Sequence, residues 1–175
     1  MYDFEDVSCV DKIYEDYFSK IYNYVFYRLL HREQTEDIVS EVFLKVISNL
    51  NTFNSEKASF STWIFNIAKN AIIDHIRKQR HVVYTMDGDA REFSCCVDFD
   101  EQCELILNEE RKLLYKALAE LDEKQRHIIA LKYFGEFTNR KIAEMTGMNE
   151  SSVSTVCFRA IAKLRAALKD TSNDL

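Results

Sequence analysis

The chain has no proline and only three glycines among its 175 residues. Both residue types interrupt helices and supply most tight turns, so their scarcity predicts an all-α protein with short connections. No apolar stretch approaches the roughly 20 residues that cross a bilayer, and the acidic N-terminus does not resemble a signal peptide. The five cysteines, an odd number, indicate reduced thiols rather than a disulfide framework. We therefore expect an all-α protein that stays in the cytoplasm.

The sequence contains none of the short patterns that carry catalysis. Three glycines cannot build a phosphate-cradling loop, and no nucleophile motif is present. Cys95, Cys96 and Cys103, with His81, could suggest zinc, but they lack the paired C-x₂₋₄-C spacing of structural sites. We expect no enzyme activity, no metal and no cofactor, although the sequence leaves open whether this cysteine cluster senses metal or redox state.

The net charge of −6 argues at first sight against nucleic acid, but the charge is unevenly distributed. Residues 1–62 carry 6 basic and 11 acidic side chains, and residues 82–123 carry 4 and 12. Residues 63–81 carry 4 basic and 1 acidic side chain, and residues 124–169 carry 9 and 3. Binding to a polyanion depends on local patches rather than on the total charge. Two basic segments in an acidic background therefore predict two nucleic-acid-facing surfaces.

Apolar side chains recur at helical spacing in two parts of the chain. This pattern predicts two small helical domains, residues 1–81 and 105–175, joined by an acidic linker over residues 82–104. Within the first domain we expect a helix over residues 10–30, a second helix after the N-cap Thr35, a polar loop over residues 51–59 and a helix over residues 60–80.

The last of these helices combines an apolar face with an amide-rich, basic one. Amide and basic side chains lie off the buried face at Asn66, Lys69, Asn70, Arg77 and Lys78. Such a helix can follow a phosphate backbone and hydrogen-bond to bases. The alternative is a surface helix whose cations complement the dipole at its C-terminus.

The second domain contains a candidate helix-turn-helix. Asp122 and Gln125 have the spacing of a capping box, Thr138 can cap a short helix, and Gly147 can take the left-handed conformation of the turn. In this motif the start of the second helix reads the major groove, and the candidate base contacts are Ser151, Ser152, Ser154, Thr155 and Phe158. The candidate phosphate contacts are Arg140, Lys141, Arg159 and Lys163. The spacing alone also fits an ordinary helical hairpin.

Taken together, the two basic helical units resemble an extracytoplasmic-function sigma factor, a small member of the sigma-70 family of RNA polymerase sigma factors. In the first domain the resemblance is carried by EDIVSEVFLKV at 36–46, TWI at 62–64, IAKN at 67–70 and IDHIR at 73–77. In the second domain it is carried by AELDEKQR at 119–126, KIAEMTG at 141–147 and FRA at 158–160.

The resemblance implies that the first domain binds core RNA polymerase and the −10 promoter element. The residues implied in polymerase binding are Asp37, Glu41, Phe43 and Leu44, with the apolar ones exposed as anchors. The loop over Phe53–Phe60 and the following helix would capture a non-template base and assist melting. The DNA-facing residues implied there are Lys69, Asn70, Arg77, Lys78 and Arg80, whereas we expect Trp63 to belong to the core.

By the same resemblance, the second domain binds the −35 element through the second helix of its helix-turn-helix. Three positions depart from the family pattern: Ser154 and Val156 stand where basic residues are common, and Ser40 replaces a common glutamine. The family usually has a cognate anti-sigma factor, often membrane-anchored. Two alternatives stay open: a helix-turn-helix regulator that binds DNA without polymerase, and a helical protein–protein adaptor.

Overall fold

A computed structural model describes residues 8–86 and 109–172, and within them every regular element is a helix. The all-α prediction is therefore confirmed. The helices are α1 (Ser8–Leu29), α2 (Arg32–Ser48), α3 (Phe60–Met86), α4 (Glu109–Ala119), α5 (Glu123–Tyr133), α6 (Asn139–Thr146) and α7 (Glu150–Ser172), with a single 3₁₀ turn at Leu50–Thr52. The linker cysteines and His81 lie outside the residues whose side chains are described, as does Arg80.

Three predicted helix ends are confirmed by their hydrogen bonds. At the start of α5, Asp122 Oδ1 accepts from the Gln125 N–H at 2.8 Å, and Gln125 Oε1 accepts from the Asp122 N–H at 3.2 Å. At the start of α6, Thr138 Oγ1 accepts from the Lys141 N–H at 3.2 Å. Gly147 closes α6 with a φ of 72°, the left-handed conformation that glycine adopts without steric cost.

The predicted start of α2 was wrong. The helix begins at Arg32 rather than after Thr35, which is fully buried inside it. The reason lies at Leu30, whose φ of 53° ends α1 within a single residue. Because the left-handed conformation of Leu30 ends α1 in one residue, α2 can begin only two residues later, at Arg32. The helix α3 also extends past the expected end, to Met86.

The first of two compact units contains the described residues of Met1–Val25 and Glu33–Cys96. Its core is built from the apolar faces of α1, α2 and α3, and Tyr24 packs edge-on against Phe65 with 5.1 Å between ring centroids. The largest fully buried side chains of this unit are Ile21, Tyr24, Val25, Ile38, Val42, Val46, Ile64, Phe65 and Ile72. This packing holds the last turns of α2 beside the first turns of α3.

The second compact unit contains the described residues of Val97–Leu175 together with Phe26–Arg32 at the end of α1. Its apolar cluster is formed by Leu30, Leu118, Leu121, Ile129 and Ala160. Tyr27 stacks on Phe134 with 4.4 Å between ring centroids, and Arg28 forms an ion pair with Glu123 at 3.0 Å. Helix periodicity does not reveal that the end of α1 is part of this core.

Candidate nucleic-acid interface

A surface cavity of about 400 Å³ opens in the first unit where the end of α2 meets the start of α3. Its lining residues are Lys45, Asn49, Thr52, Trp63, Ile67 and Asn70. The volume lies within the range of ordinary ligand clefts, about 300–1,000 Å³. The lining combines one aromatic ring, two amides, a hydroxyl and an ammonium group, which is a set of partners suited to a nucleobase and its phosphate.

One wall of the cavity is Trp63, whose ring packs against the rings of two phenylalanines. Its ring centroid lies 5.4 Å from that of Phe53 and 5.4 Å from that of Phe60, and Tyr17 packs edge-on against Phe60 at 5.4 Å. Trp63 is half-buried, so it both packs against these rings and lines the cavity. Our expectation of a core residue therefore describes only part of its environment.

The polar groups of the cavity wall are oriented by short hydrogen bonds. Asn49 Nδ2 donates to the Lys45 carbonyl at 2.7 Å, and Thr52 Oγ1 donates to the Asn49 carbonyl at 2.7 Å. The amide oxygen of Asn49 and the hydroxyl oxygen of Thr52 keep lone pairs that can accept from a ligand. Asn70 is exposed and adds a second amide to the wall, with both a donor and an acceptor.

The predicted cations along α3 lie in different environments. Lys69, next to Asn70, is half-buried, whereas Arg77 and Lys78 are exposed two turns farther along the helix. Arg77 forms an ion pair with Asp74 at 3.1 Å. Exposed pairs of this kind contribute little, so Arg77 can exchange Asp74 for a phosphate at small cost.

The outer face of α2 presents apolar and acidic side chains together. Leu44 is 66% exposed and Ile47 46% exposed, and Asp37 is also exposed. The expectation that Phe43 is an exposed anchor was wrong, because it is only 7% exposed. It is buried because its ring packs against Tyr14, at 5.0 Å between centroids.

Glu41 lies on α2 between the apolar side chains and the cavity. Its carboxylate accepts from the Lys45 ammonium at 2.6 Å, one turn along the helix. The hydrogen bond from Lys45 is the main cause that lowers the pKa of Glu41 below its usual 4.5, with partial burial opposing it. The charges of Lys45, Lys78 and His75 act in the same direction as the hydrogen bond.

In the second unit, α6 and α7 are joined by a short turn at residues 147–149. Asn149 Oδ1 accepts from the Ser152 N–H at 2.7 Å and so caps the start of α7. Ser152 is half-buried, whereas the remaining predicted base contacts are exposed: Ser151, Ser154, Thr155 and Phe158. The Phe158 ring is 75% exposed, an unusual position for a large apolar side chain unless a partner covers it.

Three hydroxyl groups on the exposed side of α7 donate hydrogen bonds within the protein. Ser151 donates to Asn149 Oδ1 at 2.9 Å, and Thr155 donates to the Ser151 carbonyl at 2.9 Å. Ser154 donates to the Glu150 carbonyl at 3.0 Å. In this arrangement the oxygens can accept but not donate a further hydrogen bond, which suits the amino groups of adenine and cytosine.

The predicted phosphate contacts of this unit are only partly brought together. Arg140 and Lys141 both pair with Glu144, at 3.7 and 3.0 Å. Lys163 turns toward Gln125, with 3.5 Å from Nζ to Oε1, and lines a groove between α4 and α7. Arg159 is exposed one residue after Phe158.

No group of His, Cys, Asp or Glu in the described parts of the chain could hold a metal ion. Among the described helices, none combines the length and apolar character needed to cross a membrane. Cys157 is buried on the inner face of α7, and this burial raises the pKa of its thiol, although the charge of Lys132 opposes the effect.

Comparison with known proteins assigns both units. Residues 13–82 match the family model described as Sigma-70 region 2, and residues 111–164 match the model described as Sigma-70, region 4. The chain is 29% identical over 161 residues to the ECF RNA polymerase sigma factor SigX of Bacillus subtilis, covering 87% of this chain and 80% of SigX. The chain belongs to the sigma-70 family.

A second curated relative of this sigma factor is BldN of Streptomyces coelicolor, also an ECF RNA polymerase sigma factor. The two are 26% identical over 168 residues, which cover 94% of this chain but only 62% of BldN. The chain thus spans less than two thirds of the length of BldN.

Two solved structures share the fold. The sigma factor RpoE of Bartonella quintana, solved with the anti-sigma factor NepR, has a TM-score of 0.70 at 18% identity and covers 91% of this chain and 96% of that one. CnrH, solved with the cytosolic domain of CnrY, has a TM-score of 0.67 at 18% identity and covers 94% and 90%. At this identity the likeness concerns the fold alone.

Sequence reasoning about this sigma factor missed three polar residues of the cavity. Lys45, Asn49 and Thr52 were not among the predicted DNA contacts, although they recur at one-turn intervals from the end of α2 into the 3₁₀ turn. A helical spacing of polar residues is ordinary on a surface, so this signal was too weak. Only the packing of α2 against α3 places these residues opposite Trp63 and Asn70.

Proposed function

We propose that this sigma factor directs core RNA polymerase to specific promoters and assists melting at the start site, in the cytoplasm and without catalysing a reaction. The observation that carries the proposal is the presence of both sigma-70 regions, in order, in one chain. A free-standing regulator needs only the second of these regions, and an adaptor needs neither.

Core polymerase would dock on the outer face of α2. Leu44 and Ile47 offer apolar area to anchor a partner, and Asp37 and Glu41 offer charge to a basic one. Phe43 would contribute indirectly, as the buried support under the exposed Tyr14 ring.

The cavity beside Trp63 would receive a base of the single-stranded −10 element. Unstacking a base costs a few kcal/mol, and stacking on an aromatic side chain returns about 1–3 kcal/mol. Hydrogen bonds with Asn70, and hydrogen bonds accepted by Asn49 Oδ1 and Thr52 Oγ1, would add to this stabilisation and discriminate among bases. Lys69, Arg77, Lys78 and Arg80 would hold the neighbouring phosphates.

The second unit would bind the −35 duplex through α7. Ser151, Thr155 and Phe158 would lie against base edges, where Phe158 can contact a thymine methyl group. Arg140, Lys141 and Arg159 would contact phosphates, the first two after leaving Glu144. With Ser154 and Val156 in place of basic residues, we expect weaker −35 affinity than the resemblance alone implies.

An anti-sigma factor is a further partner that we propose for this chain. Two solved structures of the same fold contain such a protein or the cytosolic domain of a second chain. The exposed apolar side chains of α2 offer a surface that an inhibitor could cover.

Run-off transcription tests the proposal directly. Bacterial core polymerase is assayed with and without the protein on a library of promoter fragments at fixed salt. We expect selective new transcripts only when the protein is present. If none appeared and core polymerase were not retained on the immobilised protein, the proposal would be wrong and a free-standing regulator or adaptor would be favoured.

Substitution on α3 tests the assignment of the cavity helix. Asn70→Ala and Lys69→Ala should impair open-complex formation, measured by permanganate reactivity of unpaired thymines, while polymerase binding stays nearly unchanged. Glu33→Gln, an exposed change at the start of α2, serves as the control. Normal melting in both α3 variants would remove this helix from the −10 interface.

A further inference from the structure

Lys45 takes part both in an ion pair on α2 and in the wall of the cavity. Its ammonium group pairs with Glu41 at 2.6 Å on the outer face of α2, and its side chain lines the cavity beside Trp63. Glu41 belongs to the face that we assign to polymerase, whereas the cavity is where we place the single strand. The two proposed interfaces therefore meet at one ion pair.

The ion pair between Glu41 and Lys45 can be broken at small cost, because both side chains are exposed to water. Glu41 is 42% exposed and Lys45 41% exposed at the side chain, and such exposed pairs contribute little to stability. Glu41 also lies in the field of a cation on α3, Lys78. A carboxylate in this position competes with a nucleic-acid phosphate for the nearby ammonium groups, Lys45 first among them.

We infer that Glu41 restrains Lys45, and that polymerase docking on α2 releases it to bind the single strand at the cavity. A basic polymerase side chain that pairs with Glu41 would leave the Lys45 ammonium without its counter-ion, one helical turn away. That ammonium would then find its next partner in a phosphate or base at the cavity. Strand capture would thus be favoured only after polymerase has bound. This inference rests on the proposed function.

Glu41 is a positioning residue in this scheme, because it acts through Lys45 and does not itself touch the strand. Without polymerase, the carboxylate lowers the affinity of the free protein for single-stranded DNA. In this way a free sigma factor would not be held on exposed single strands.

The only tryptophan of the chain makes the test specific. Trp63 lines the cavity, so quenching of its fluorescence reports occupancy of this site and not binding elsewhere. The full-length protein is titrated with a mixed-sequence 12-nucleotide single-stranded DNA in the absence of polymerase. We expect Glu41→Gln to bind about two- to fivefold more tightly than the unmodified chain, the range that corresponds to loss of an exposed ion pair.

Three further variants separate the restraint from general electrostatics. Glu33→Gln removes the same charge from the same helix, two turns away, and should give no more than a slight gain. Glu41→Gln with Lys45→Gln should lose the gain, and Glu41→Gln with Lys45→Arg should keep it because the cation is restored. Equal gains for Glu41→Gln and Glu33→Gln, or a gain that survives Lys45→Gln, would overturn the inference.

A polymerase arm distinguishes this inference from the proposed function. With core polymerase at a concentration shown to saturate each protein, so that weaker docking of Glu41→Gln no longer matters, this variant should lose its advantage in strand affinity, since docking has already released Lys45. If Glu41→Gln kept its advantage in the complex while run-off transcription by the unmodified chain remained selective, the restraint would be wrong and the sigma role intact. Absence of both polymerase binding and transcription would instead contradict the proposed function.

Discussion

Asn139 Nδ2 donates a hydrogen bond to Ser154 Oγ across 2.9 Å, and this bond joins the first residue of α6 to the second turn of α7. The orientation of the amide is fixed by Lys132, whose ammonium can only donate and lies 2.9 Å from Asn139 Oδ1. Ser154 Oγ in turn donates a hydrogen bond to the Glu150 carbonyl at 3.0 Å. Ser154 Oγ is thus held by the protein as an acceptor.

Asn139→Ala should therefore destabilise the second unit and loosen the placement of α7. Two hydrogen bonds are lost, which corresponds to about 1–2 kcal/mol in the free energy of unfolding. The measurement is urea denaturation followed by circular dichroism at 222 nm. Thr155→Ala on the exposed face of α7 is the matched control and should change stability by less than about 0.5 kcal/mol. Equal stability of Asn139→Ala and the unmodified chain would show that the bridge does not hold these helices.

Phe158→Ala should leave stability unchanged and weaken duplex binding. The ring is 75% exposed, so its removal leaves no cavity in the core. If the ring covers a thymine methyl group, losing a contact of about 0.8 kcal/mol per buried methylene lowers affinity about fourfold. Fluorescence anisotropy with a promoter duplex from the run-off assay measures this. Replacing the contacted thymine by uracil should weaken the unmodified chain but not the variant, and the same loss in both would argue against the contact.

The ion pair of Glu41 and Lys45 should contribute stability only above acidic pH. The folded pKa of Glu41 is lowered, chiefly by the Lys45 hydrogen bond, so the folded protein holds the proton less tightly than the unfolded chain does. The contribution is therefore present above the unfolded value of 4.5 and is lost as pH falls through the lower folded pKa. Because both side chains are exposed, the effect is small.

Comparison of the unmodified chain with Glu41→Gln by urea denaturation at pH 6 and pH 3.5 tests this direction. We expect a small difference at pH 6 that shrinks at pH 3.5. A difference that grows as the pH falls would contradict the lowered pKa.

Cys157 should resist alkylation in the folded protein. Its thiol is buried and the pKa is raised by that burial, so little thiolate forms near neutral pH. The unfolded chain ionises first, and stability from this group is therefore present below the usual value of 9.0 and lost as pH rises above it. Iodoacetamide labelling at pH 8, read by peptide mass spectrometry, should modify Cys157 only after urea is added. Rapid labelling in native buffer would show that α7 opens locally.

Much of the fold was predictable from local sequence. The absence of proline and the apolar periodicity predicted helices. The structure also contains the predicted Asp122–Gln125 capping box, the Thr138 cap and the left-handed turn at Gly147. These features depend on residues within four positions of one another, which is why sequence alone reveals them. The start of α2 was missed because it depends on the conformation of Leu30, a residue type that rarely takes a positive φ.

The candidate site was less predictable than the fold. Asn70 was expected to face DNA, whereas Lys45, Asn49 and Thr52 were not, because their place beside Trp63 results from contacts between two helices. Phe43 was expected on the surface, but the ring of Tyr14 covers it. A periodic pattern tells which face of a helix is apolar, but it does not tell how much of that face a neighbour covers.

By itself, the sequence determined the helices, most of their ends, and the family, because capping, turn chemistry and short motifs are properties of neighbouring residues. The tertiary structure alone decided that Lys45 is shared between Glu41 and a cavity, that Ser154 is held by Asn139, and that the end of α1 belongs to the second core. These relationships join residues on different helices or on two faces of one helix. They depend on packing distances of a few ångströms, which no periodicity in the chain encodes.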